Sequence, residues 1–488
     1  MVITRKPLSL AGSRKNLAVF TFLSIGAVAA VGLRLWQMSG ALWYDEAFSA
    51  WLAGLPIPQL IEATAGDVHP PAYYLLLWAL THTAGNQEWL LRLPSLLAGL
   101  ALVWVVWRLG LALRLAPPVV AIAAGITAFA PWQIYYSTEA RSYALLTLAV
   151  ALAGLGLVER RYGLAIAGTL AALYLHNLAA VFVGALWLAT AHKSGRTYLA
   201  GLITAIFSLP ALGWTAMQTL AIRNGYWIPD ITPGRVLAAF DDLVFFAPNN
   251  PFVLASALIT TAALVLIILD LRCQNKVLLI SVGLPVLALA LFSLWTPVFQ
   301  SRSIAPIAPF YYLLVADTVL RTPHRRVTFG VLGGAALLLV LLATISPLAR
   351  ETNDGDMMTF YGLEQPGDVL YHANVGSYVV WHYYRPDLPQ FLWPQHSTVE
   401  QTLSDQTRQA MGMNELDFEL VKCAALADGQ GRVYRPRWWL IYFNNPVTNS
   451  AERAMVDTLL NNYGSIRRSL RNDPTTAAGL VLLNPECN

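Results

Sequence analysis

The sequence predicts a polytopic α-helical membrane protein with about eleven transmembrane helices, outer-face juxtamembrane helices and a small C-terminal α/β domain. Of its 488 residues, 56% are hydrophobic and only 12% are charged, about half the charged fraction of soluble proteins. The mean hydropathy is +0.51. Long apolar stretches recur up to residue 346 and stop there, which separates a membrane domain (1–347) from a polar domain (348–488).

The membrane domain contains eleven stretches that predict spanning helices. These are residues 17–37, 91–107, 117–135, 142–158, 163–176, 178–192, 197–219, 252–270, 277–296, 304–320 and 327–346. The two between 163 and 192 are short and could be one broken pair. The first stretch lacks a small-residue cleavage site, so we interpret it as a retained anchor and not as a signal peptide.

Basic residues lie mainly on one side of the predicted spans. Fifteen fall before the first span or in alternate loops: Arg5, Lys6, Arg14, Lys15, Arg108, Arg114, Arg160, Arg161, Lys193, Arg196, Arg272, Lys276, Arg321, Arg325 and Arg326. Six fall on the other side before residue 347: Arg34, Arg92, Arg141, Arg223, Arg235 and Arg302. Because basic loops stay in the cytoplasm, we expect a cytoplasmic N-terminus and a C-terminal domain outside.

Residues 70–84 form a further apolar stretch, which we interpret as an amphipathic helix on the outer face. If this stretch spanned the membrane, every later loop would change sides and the charge bias would reverse. The charge bias therefore supports eleven spans.

The C-terminal domain alternates short apolar stretches with polar segments, which predicts a small α/β domain. The strands are predicted at Asp368–His372, Ser377–Tyr383, Trp438–Phe443 and Gly479–Leu483, and helices at about 398–413 and 450–462. Cys423 and Cys487 both lie in this domain, where an oxidising compartment would favour a disulfide between them. Two independent buried thiols are the alternative.

Composition also bears on partners. The net charge of +4 is not gathered into a basic stripe, so we expect the lipid bilayer and no nucleic acid as a partner. The three cysteines and eight histidines show no zinc-type spacing.

The predicted topology places a set of ionisable and polar residues together at the outer face. They are Asp45, Glu46, Asp67, His69, Arg92, Glu139, Arg141, Tyr143, His176, Asn177 and Arg302. Ionisable groups at the ends of membrane helices are costly unless they pair or face a wet cavity. Their concentration on one face therefore predicts a catalytic or transport cavity.

Each of these residues also has a structural interpretation. Asp45 and Glu46 diverge by about 100° on a helix, so one can face a cavity while the other pairs with an arginine or caps the helix. Both could be a solvated helix start. Asp67 could cap a helix that begins at the following prolines. Glu139 and Arg141 could form a salt bridge at a helix end. Arg302 could be an interfacial anchor, and His176 could be a packed interfacial residue.

The outer-face motifs resemble those of the GT-C superfamily of polyprenyl-phosphate-sugar-dependent glycosyltransferases. The motifs are Tyr44-Asp45-Glu46, Asp67-Val68-His69-Pro70-Pro71-Ala72-Tyr73-Tyr74, Arg92-Leu93-Pro94-Ser95 and Glu139-Ala140-Arg141-Ser142-Tyr143. The most similar branch contains the protein mannosyltransferases and the bacterial lipid A aminoarabinose transferases. The resemblance covers the membrane domain.

This resemblance implies a GT-C fold and inverting transfer of one sugar from a polyprenyl monophosphate to an acceptor hydroxyl on the outer face. It implies Asp45 as general base with Glu46 beside it, and Arg302, Arg92 and Arg141 as cations for the donor phosphate. Related members often have Arg-Tyr where this chain has Arg302-Ser303. The substrate pocket would contain Asp67, His69, Tyr74, Glu139, Tyr143, His176 and Asn177.

The resemblance leaves several points open. No cofactor is required for this reaction, and a divalent metal is undecided. The acceptor could be a glycolipid, a polysaccharide or a protein, and a bacterial inner membrane is the expected location. An enzyme that moves a whole glycan from a diphosphate carrier is the main alternative. A transporter of lipid-linked sugars fits less well, because the charges lie at the outer helix ends and no internal repeat is seen.

Overall fold

The structure, a computed structural model, describes residues 25–190, 194–221, 228–247, 250–271, 275–322, 325–345, 363–394, 403–427, 433–444, 450–469 and 477–485. The predicted boundary between domains at 347–348 lies outside these residues. Residues 17–24 of the first predicted span also lie outside them.

Every predicted span coincides with an apolar helix. These helices are α1 (Ile25–Gln37), α5 (Glu88–Ala112), α6 (Pro117–Phe129), α8 (Tyr143–Val158), α9 (Tyr162–Leu175), α10 (Ala179–Ala189), α11 (Gly195–Ala221), α13 (Val253–Leu269), α14 (Lys276–Phe292), α15 (Ala308–Arg321) and α16 (Arg325–Ile345). A 3₁₀ helix (Ser301–Ile307) runs directly into α15. By length and composition, the segments 88–112, 195–220 and 301–321 are long enough to cross a bilayer, whereas the other apolar stretches with described side chains, such as 330–339 within α16, have 10–17 residues.

The predicted span 117–135 is divided in the structure. Helix α6 ends at Phe129, and a short helix α7 (Pro131–Tyr136) follows after a single residue. Pro131 has no backbone N–H and its ring excludes a continuous helical path, so the chain changes direction there. This break leads the chain into the turn at 137–142, which carries Glu139 and Arg141.

Three short helices lie between α1 and α5. They are α2 (Tyr44–Gly54), α3 (Ile57–Ala65) and α4 (Ala72–Ala84). Helix α4 covers the stretch predicted to lie on the outer face, and with 13 residues it is about 20 Å long. Its place at the membrane surface stays a prediction from the charge bias. We call α2, α3 and α4 together the outer platform. A separate helix, α12 (Pro233–Phe245), precedes α13.

The membrane domain is held together by close helix packing. The largest buried cluster draws on α5, α8, α10 and α15, and it includes the fully buried rings of Phe310, Tyr311 and Tyr312. Small residues permit a close approach of α8 and α9, where a Cβ on Gly156 would collide with the backbone N of Ala165.

The C-terminal domain contains a five-stranded mixed sheet in the order β2–β1–β5–β7–β6. The strands are β1 (Asp368–His372), β2 (Gln390–Leu392), β5 (Arg437–Asn444), β6 (Gly464–Ser469) and β7 (Ala477–Leu483). Strand β1 pairs in parallel with β2 and β5, whereas β7 is antiparallel to β5 and β6. A separate pair, β3 (Leu426–Ala427) and β4 (Val433–Tyr434), is antiparallel.

Helices cover both faces of this sheet. Alternate side chains of β1 and β5 pack against α17 (Val375–Tyr384) and the outer platform on one face. The other face packs against α19 (Phe418–Val421) and α20 (Ser450–Tyr463). A short helix, α18 (Asp405–Ala410), contacts α3.

Two predictions for this domain need correction. The stretch Ser377–Tyr383 was predicted as a strand because of its apolar and aromatic residues, but it is the helix α17. Asn374 starts this helix by accepting a hydrogen bond from the backbone N–H of Ser377, and one side of the helix packs against α2. The helix predicted at 398–413 is described only from residue 403, and there it covers Asp405–Ala410.

Candidate active site

Asp45 lies in the first turn of α2, between two arginine side chains. Its Oδ2 is 3.2 Å from Nη1 of Arg302 and 3.9 Å from Nε of Arg141. The N-terminus of a helix favours a carboxylate, because the first backbone N–H groups have no partner within the helix. The structure therefore joins three of the predicted residues, which come from α2, the 137–142 turn and the 3₁₀ helix.

Glu46 points away from Asp45 and forms a buried ion pair. Arg92 donates from Nε to Oε1 at 2.8 Å and from Nη2 to Oε2 at 2.6 Å. The backbone N–H of Ala140 also donates to Oε1, at 2.8 Å. The remaining N–H groups of Arg92 bond the carbonyl oxygens of Met38, Gly40 and Ala41. The Glu46–Arg92 pair thus links α2 to α5. The bond from Ala140 to Glu46 also links α2 to the 137–142 turn.

Asp67 and His69 form a second pair, in the loop between α3 and α4. Nδ1 of His69 lies 3.3 Å from Oδ2 of Asp67, and its Nε2 lies 3.4 Å from Nη2 of Arg141. Since an arginine can only donate, these contacts assign the proton of a neutral His69 ring to Nδ1. Burial and the charge of Arg141 lower the pKa of His69, against the opposing effect of Asp67.

The same contact lowers the pKa of Asp67. Burial acts in the opposite direction, but the contact with His69, a backbone hydrogen bond at Val68 and the charge of Arg141 together outweigh it. The carboxylate form of Asp67 is therefore the stable form beside the histidine.

Two amide side chains hold this loop in place. Nδ2 of Asn177 donates to the carbonyl oxygen of Val68 at 2.8 Å and to Oε1 of Gln218 at 2.7 Å. Nε2 of Gln218 donates to the carbonyl oxygens of Thr64 and His69. Asn177 is a predicted site residue, whereas Gln218 is not. The sequence feature that could have indicated Gln218 is its amide within the apolar helix α11, because a polar group there needs a partner.

Aromatic rings extend the site from His69 toward α8. The rings of His69 and His176 are 5.3 Å apart, edge to face, and the ring of Tyr143 lies 5.8 Å from His176. Nδ1 of His176 accepts from the backbone N–H of Leu178 at 3.1 Å. The hydroxyl of Tyr74 accepts from Arg141 at 3.3 Å. Glu139 is buried in the 137–142 turn.

Several of these residues line a cleft between the α3–α4 loop, the start of α8, the turn between α9 and α10, and the 3₁₀ helix. Its empty space, including the open mouth, is about 650 Å³. Polar groups in its lining include His69, Tyr143, His176, Asn177, Gln300 and Arg302. The cleft thus has an arginine at one side, with amides, imidazoles and a phenol around it. Such groups can bind a phosphate and the hydroxyl groups of a sugar.

One acidic residue beside the cleft had no role in the prediction. Asp242 on α12 accepts a hydrogen bond from the hydroxyl of Ser301, the residue before Arg302. Burial raises the pKa of Asp242 to about 6; the Ser301 hydrogen bond opposes this rise and the charge of Asp241 adds to it. Asp241 itself accepts from the hydroxyl groups of Ser256 and Thr260.

In the part of the chain that the structure describes, no three His, Cys, Asp or Glu side chains converge as a metal site would require. Cys423 is disulfide-bonded. Its predicted partner, Cys487, lies outside the described residues, so the predicted pairing stays a prediction.

Two solved structures are similar to this chain over almost their whole length. The apo structure of ArnT from Cupriavidus metallidurans has a TM-score of 0.59 and 13% identity, and the match covers 95% of this chain and 98% of that one. The structure of the same protein bound to undecaprenyl phosphate has a TM-score of 0.53 and 14% identity, with 94% and 98% covered. No protein-family model and no curated protein matches the chain.

At this identity the likeness shows the fold. The chain is a polytopic helical membrane protein with the GT-C fold, outer juxtamembrane helices and a small C-terminal α/β domain, as the sequence predicts.

Proposed function

We propose that this chain is a membrane glycosyltransferase, which transfers a single sugar from a polyprenyl monophosphate to an acceptor hydroxyl. The observation that carries the proposal is the ion pair of Asp45 with Arg302 at the cleft. It combines a carboxylate that can take a proton with a guanidinium that can bind a phosphate. The choice of carrier is supported by the structurally similar ArnT, which was solved with undecaprenyl phosphate bound.

In this proposal the donor phosphate binds Arg302 and displaces the carboxylate of Asp45 from it. Asp45 then takes the proton of the acceptor hydroxyl, whose oxygen attacks the anomeric carbon from the face opposite the phosphate. The bond between the anomeric carbon and the phosphate oxygen breaks, and its electron pair leaves with the polyprenyl phosphate. Arg302 stabilises the negative charge that develops there, and the sugar configuration is inverted.

The neighbouring residues are proposed to shape the site. Arg141 contacts Asp45, Tyr74 and His69. In this role it fixes the position of the base, Asp45, relative to His69 and Tyr74 in the pocket. Asp67, Glu139, Tyr143, His176 and Asn177 would contribute to the pocket for sugar or acceptor. We propose a structural role for Glu46 and Arg92, because their mutual contacts and backbone bonds use their oxygen and nitrogen atoms.

We further propose a bacterial inner membrane location, with the N-terminus in the cytoplasm and the C-terminal domain in the periplasm. The basic loops and the organism of the structurally similar ArnT support this orientation and location. The acceptor would therefore be a periplasmic glycolipid, polysaccharide or protein.

Replacement of Asp45 tests this proposal. Wild-type protein in liposomes is supplied with undecaprenyl phosphate that carries a labelled sugar, and the label leaving the carrier is followed. We expect Asp45→Asn to lower transfer by about 100-fold or more, because the acceptor proton has no recipient. We also expect this variant to bind undecaprenyl phosphate at least as tightly as wild type, because Arg302 no longer has a competing carboxylate.

Glu62→Gln is the matched control, since Glu62 is an exposed acid on α3 of the same platform. Transfer by Asp45→Asn within about threefold of the wild-type rate would exclude Asp45 as the base. If wild-type protein transfers sugar only from diphosphate carriers, the proposed donor class is wrong.

A further inference from the structure

The C-terminal domain is bonded to the start of the helix that carries Asp45. The hydroxyl of Tyr384, at the end of α17, accepts from the backbone N–H of Leu42 at 2.7 Å and donates to Oε1 of Glu88. Leu42 precedes Asp45 by three residues, and Glu88 begins α5, one turn before Arg92. A single hydroxyl therefore joins the C-terminal domain to α2 and α5.

The start of α2 is also held by Arg92, which bonds the carbonyl oxygens of Gly40 and Ala41 and the carboxylate of Glu46. The N-cap residue of α2, Trp43, makes no side-chain hydrogen bond to the first turn. Helix starts without such a cap are less stable, by about 1 kcal/mol in measured cases. Tyr384 instead holds the backbone one residue before this N-cap, by accepting the hydrogen bond from Leu42.

Helix α17 also packs along α2. The ring of His382 is stacked on the ring of Trp51 with centroids 3.8 Å apart, and the ring of Tyr378 lies 5.8 Å away on the same indole. These contacts cover the second half of α2. The C-terminal domain thus touches α2 both before its first turn and near its end.

A third contact lies next to Asp67. The hydroxyl of Thr407 on α18 donates to the carbonyl oxygen of Ala63 at 3.0 Å. A Cβ on Gly66, the residue before Asp67, would lie 2.6 Å from Oγ of Ser404 and 2.8 Å from Oγ1 of Thr407. The domain is therefore seated against both chain segments that lead into the candidate acidic residues.

We propose that Tyr384 is a positioning residue for sugar transfer, which holds the start of α2 and thereby aligns Asp45 with Arg302. The C-terminal domain then supports the active-site geometry from outside the cleft. The rate effect in this proposal rests on the proposed function, whereas the effect on α2 does not. The reason to expect a rate effect is that displacement of a reacting group by about 1 Å can cost a factor of about 100.

The test uses Tyr384→Phe in the full-length protein, which keeps the ring and removes only the hydroxyl. We expect faster amide hydrogen exchange at residues 42–46, and a kcat for sugar transfer lowered about tenfold. The affinity for undecaprenyl phosphate should stay within twofold of wild type, because Arg302 is untouched. A variant with a merely weakened fold would lose affinity and rate together.

Tyr383→Phe is the matched control. The hydroxyl of Tyr383 donates to the carbonyl oxygen of Asn86 at 2.5 Å, so it joins the same helix to the loop before α5 and not to the start of α2. We expect wild-type exchange at residues 42–46 and a wild-type kcat for this control.

The outcomes separate the two proposals. Unchanged exchange at residues 42–46 in Tyr384→Phe overturns the positioning role, and so does an equal loss of rate in both tyrosine variants. If wild-type protein transfers no sugar from a monophosphate carrier, the proposed function fails, and the exchange measurement alone decides whether Tyr384 holds α2.

Discussion

At the scale of single residues, Asp45 and Glu46 show how adjacent acids acquire different surroundings. A helix turns about 100° per residue, so their side chains leave the backbone in different directions. Asp45 meets Arg302 and Arg141 beside the cleft, whereas Glu46 meets Arg92 in the interior. The helical spacing predicts this division, but only the contacts show that Asp45 is the acid that meets Arg302, a residue of the cleft lining.

Asp242 gives a pH-dependent prediction at the same scale. Its pKa of about 6 lies above the usual value of 3.8, so the folded protein binds a proton more readily there than the unfolded chain does. The ionised carboxylate therefore costs stability at pH 8, and this cost is lost progressively as the pH falls from about 6, the folded pKa, to below 3.8, the unfolded one. Asparagine can still accept the Ser301 hydrogen bond and carries no charge.

We expect Asp242→Asn to be about 1–2 kcal/mol more stable than wild type at pH 8, to keep about half of this advantage at pH 5, and to equal wild type below the unfolded pKa of 3.8. Thermal unfolding in detergent across this pH range measures the difference. Asp230→Asn removes one exposed charge and is the control. A stability difference that does not change with pH would show that ionisation of Asp242 is not its source.

At the scale of helices, the contact of α8 with α9 depends on glycine. A Cβ on Gly168 of α9 would lie 2.6 Å from the backbone N of Ala153 and 2.7 Å from the carbonyl oxygen of Ala149. Backbone atoms cannot move aside cheaply, so a side chain there forces the two helices apart. A Cβ on Gly163, in the same helix, meets no atom within 4 Å.

We therefore expect Gly168→Ala to lower the free energy of unfolding by about 1–3 kcal/mol. Gly163→Ala should be neutral or slightly stabilising, because alanine is the better helix former. Comparison of the two melting temperatures in detergent tests this. Equal melting temperatures would mean that the α8–α9 contact tolerates a side chain.

Helix α17 shows where an element prediction failed. Its run of apolar and aromatic residues has the composition of a strand, and its length suits either element. The helix is favoured by the Asn374 cap and by packing against α2, which is more than 300 residues away in the sequence. Local composition cannot report a partner that distant, so tertiary packing overrode it.

At the scale of the whole molecule, the distribution of basic loops predicts the orientation. Ser39 is exposed after α1 on the predicted outer side, and Arg161 is exposed between α8 and α9 on the predicted inner side. We expect a membrane-impermeant maleimide to label Ser39→Cys in intact spheroplasts above the background of the parent protein. Arg161→Cys should be labelled only after permeabilisation.

Labelling of both variants in intact spheroplasts, with the cytoplasm verified as closed, would contradict the predicted topology. Labelling of Arg161→Cys alone would place the N-terminus outside. The candidate active site would then face the cytoplasm, and the proposed periplasmic acceptors would be wrong.

The positions of the described apolar helices and the presence of a small C-terminal α/β domain could be predicted from the sequence, whereas the orientation drawn from the basic loops stays a prediction. These features depend on hydropathy, charge and chain length, which are local properties of the chain. For Asp45, Arg141 and Arg302, the sequence predicts only that they lie on the same side of the membrane, and not that they touch. Their roles stay predictions.

The partner of each side chain could not be predicted in this way. The Glu46–Arg92 pair, the amides of Asn177 and Gln218, and the bond from Tyr384 to Leu42 join positions between 41 and 342 residues apart. Such contacts arise when helices pack, because buried polar groups must then find partners among whatever groups the fold brings near. The tertiary structure alone therefore places Asp45 against Arg302, Glu46 in the interior against Arg92, and Tyr384 of the C-terminal domain against the backbone before α2.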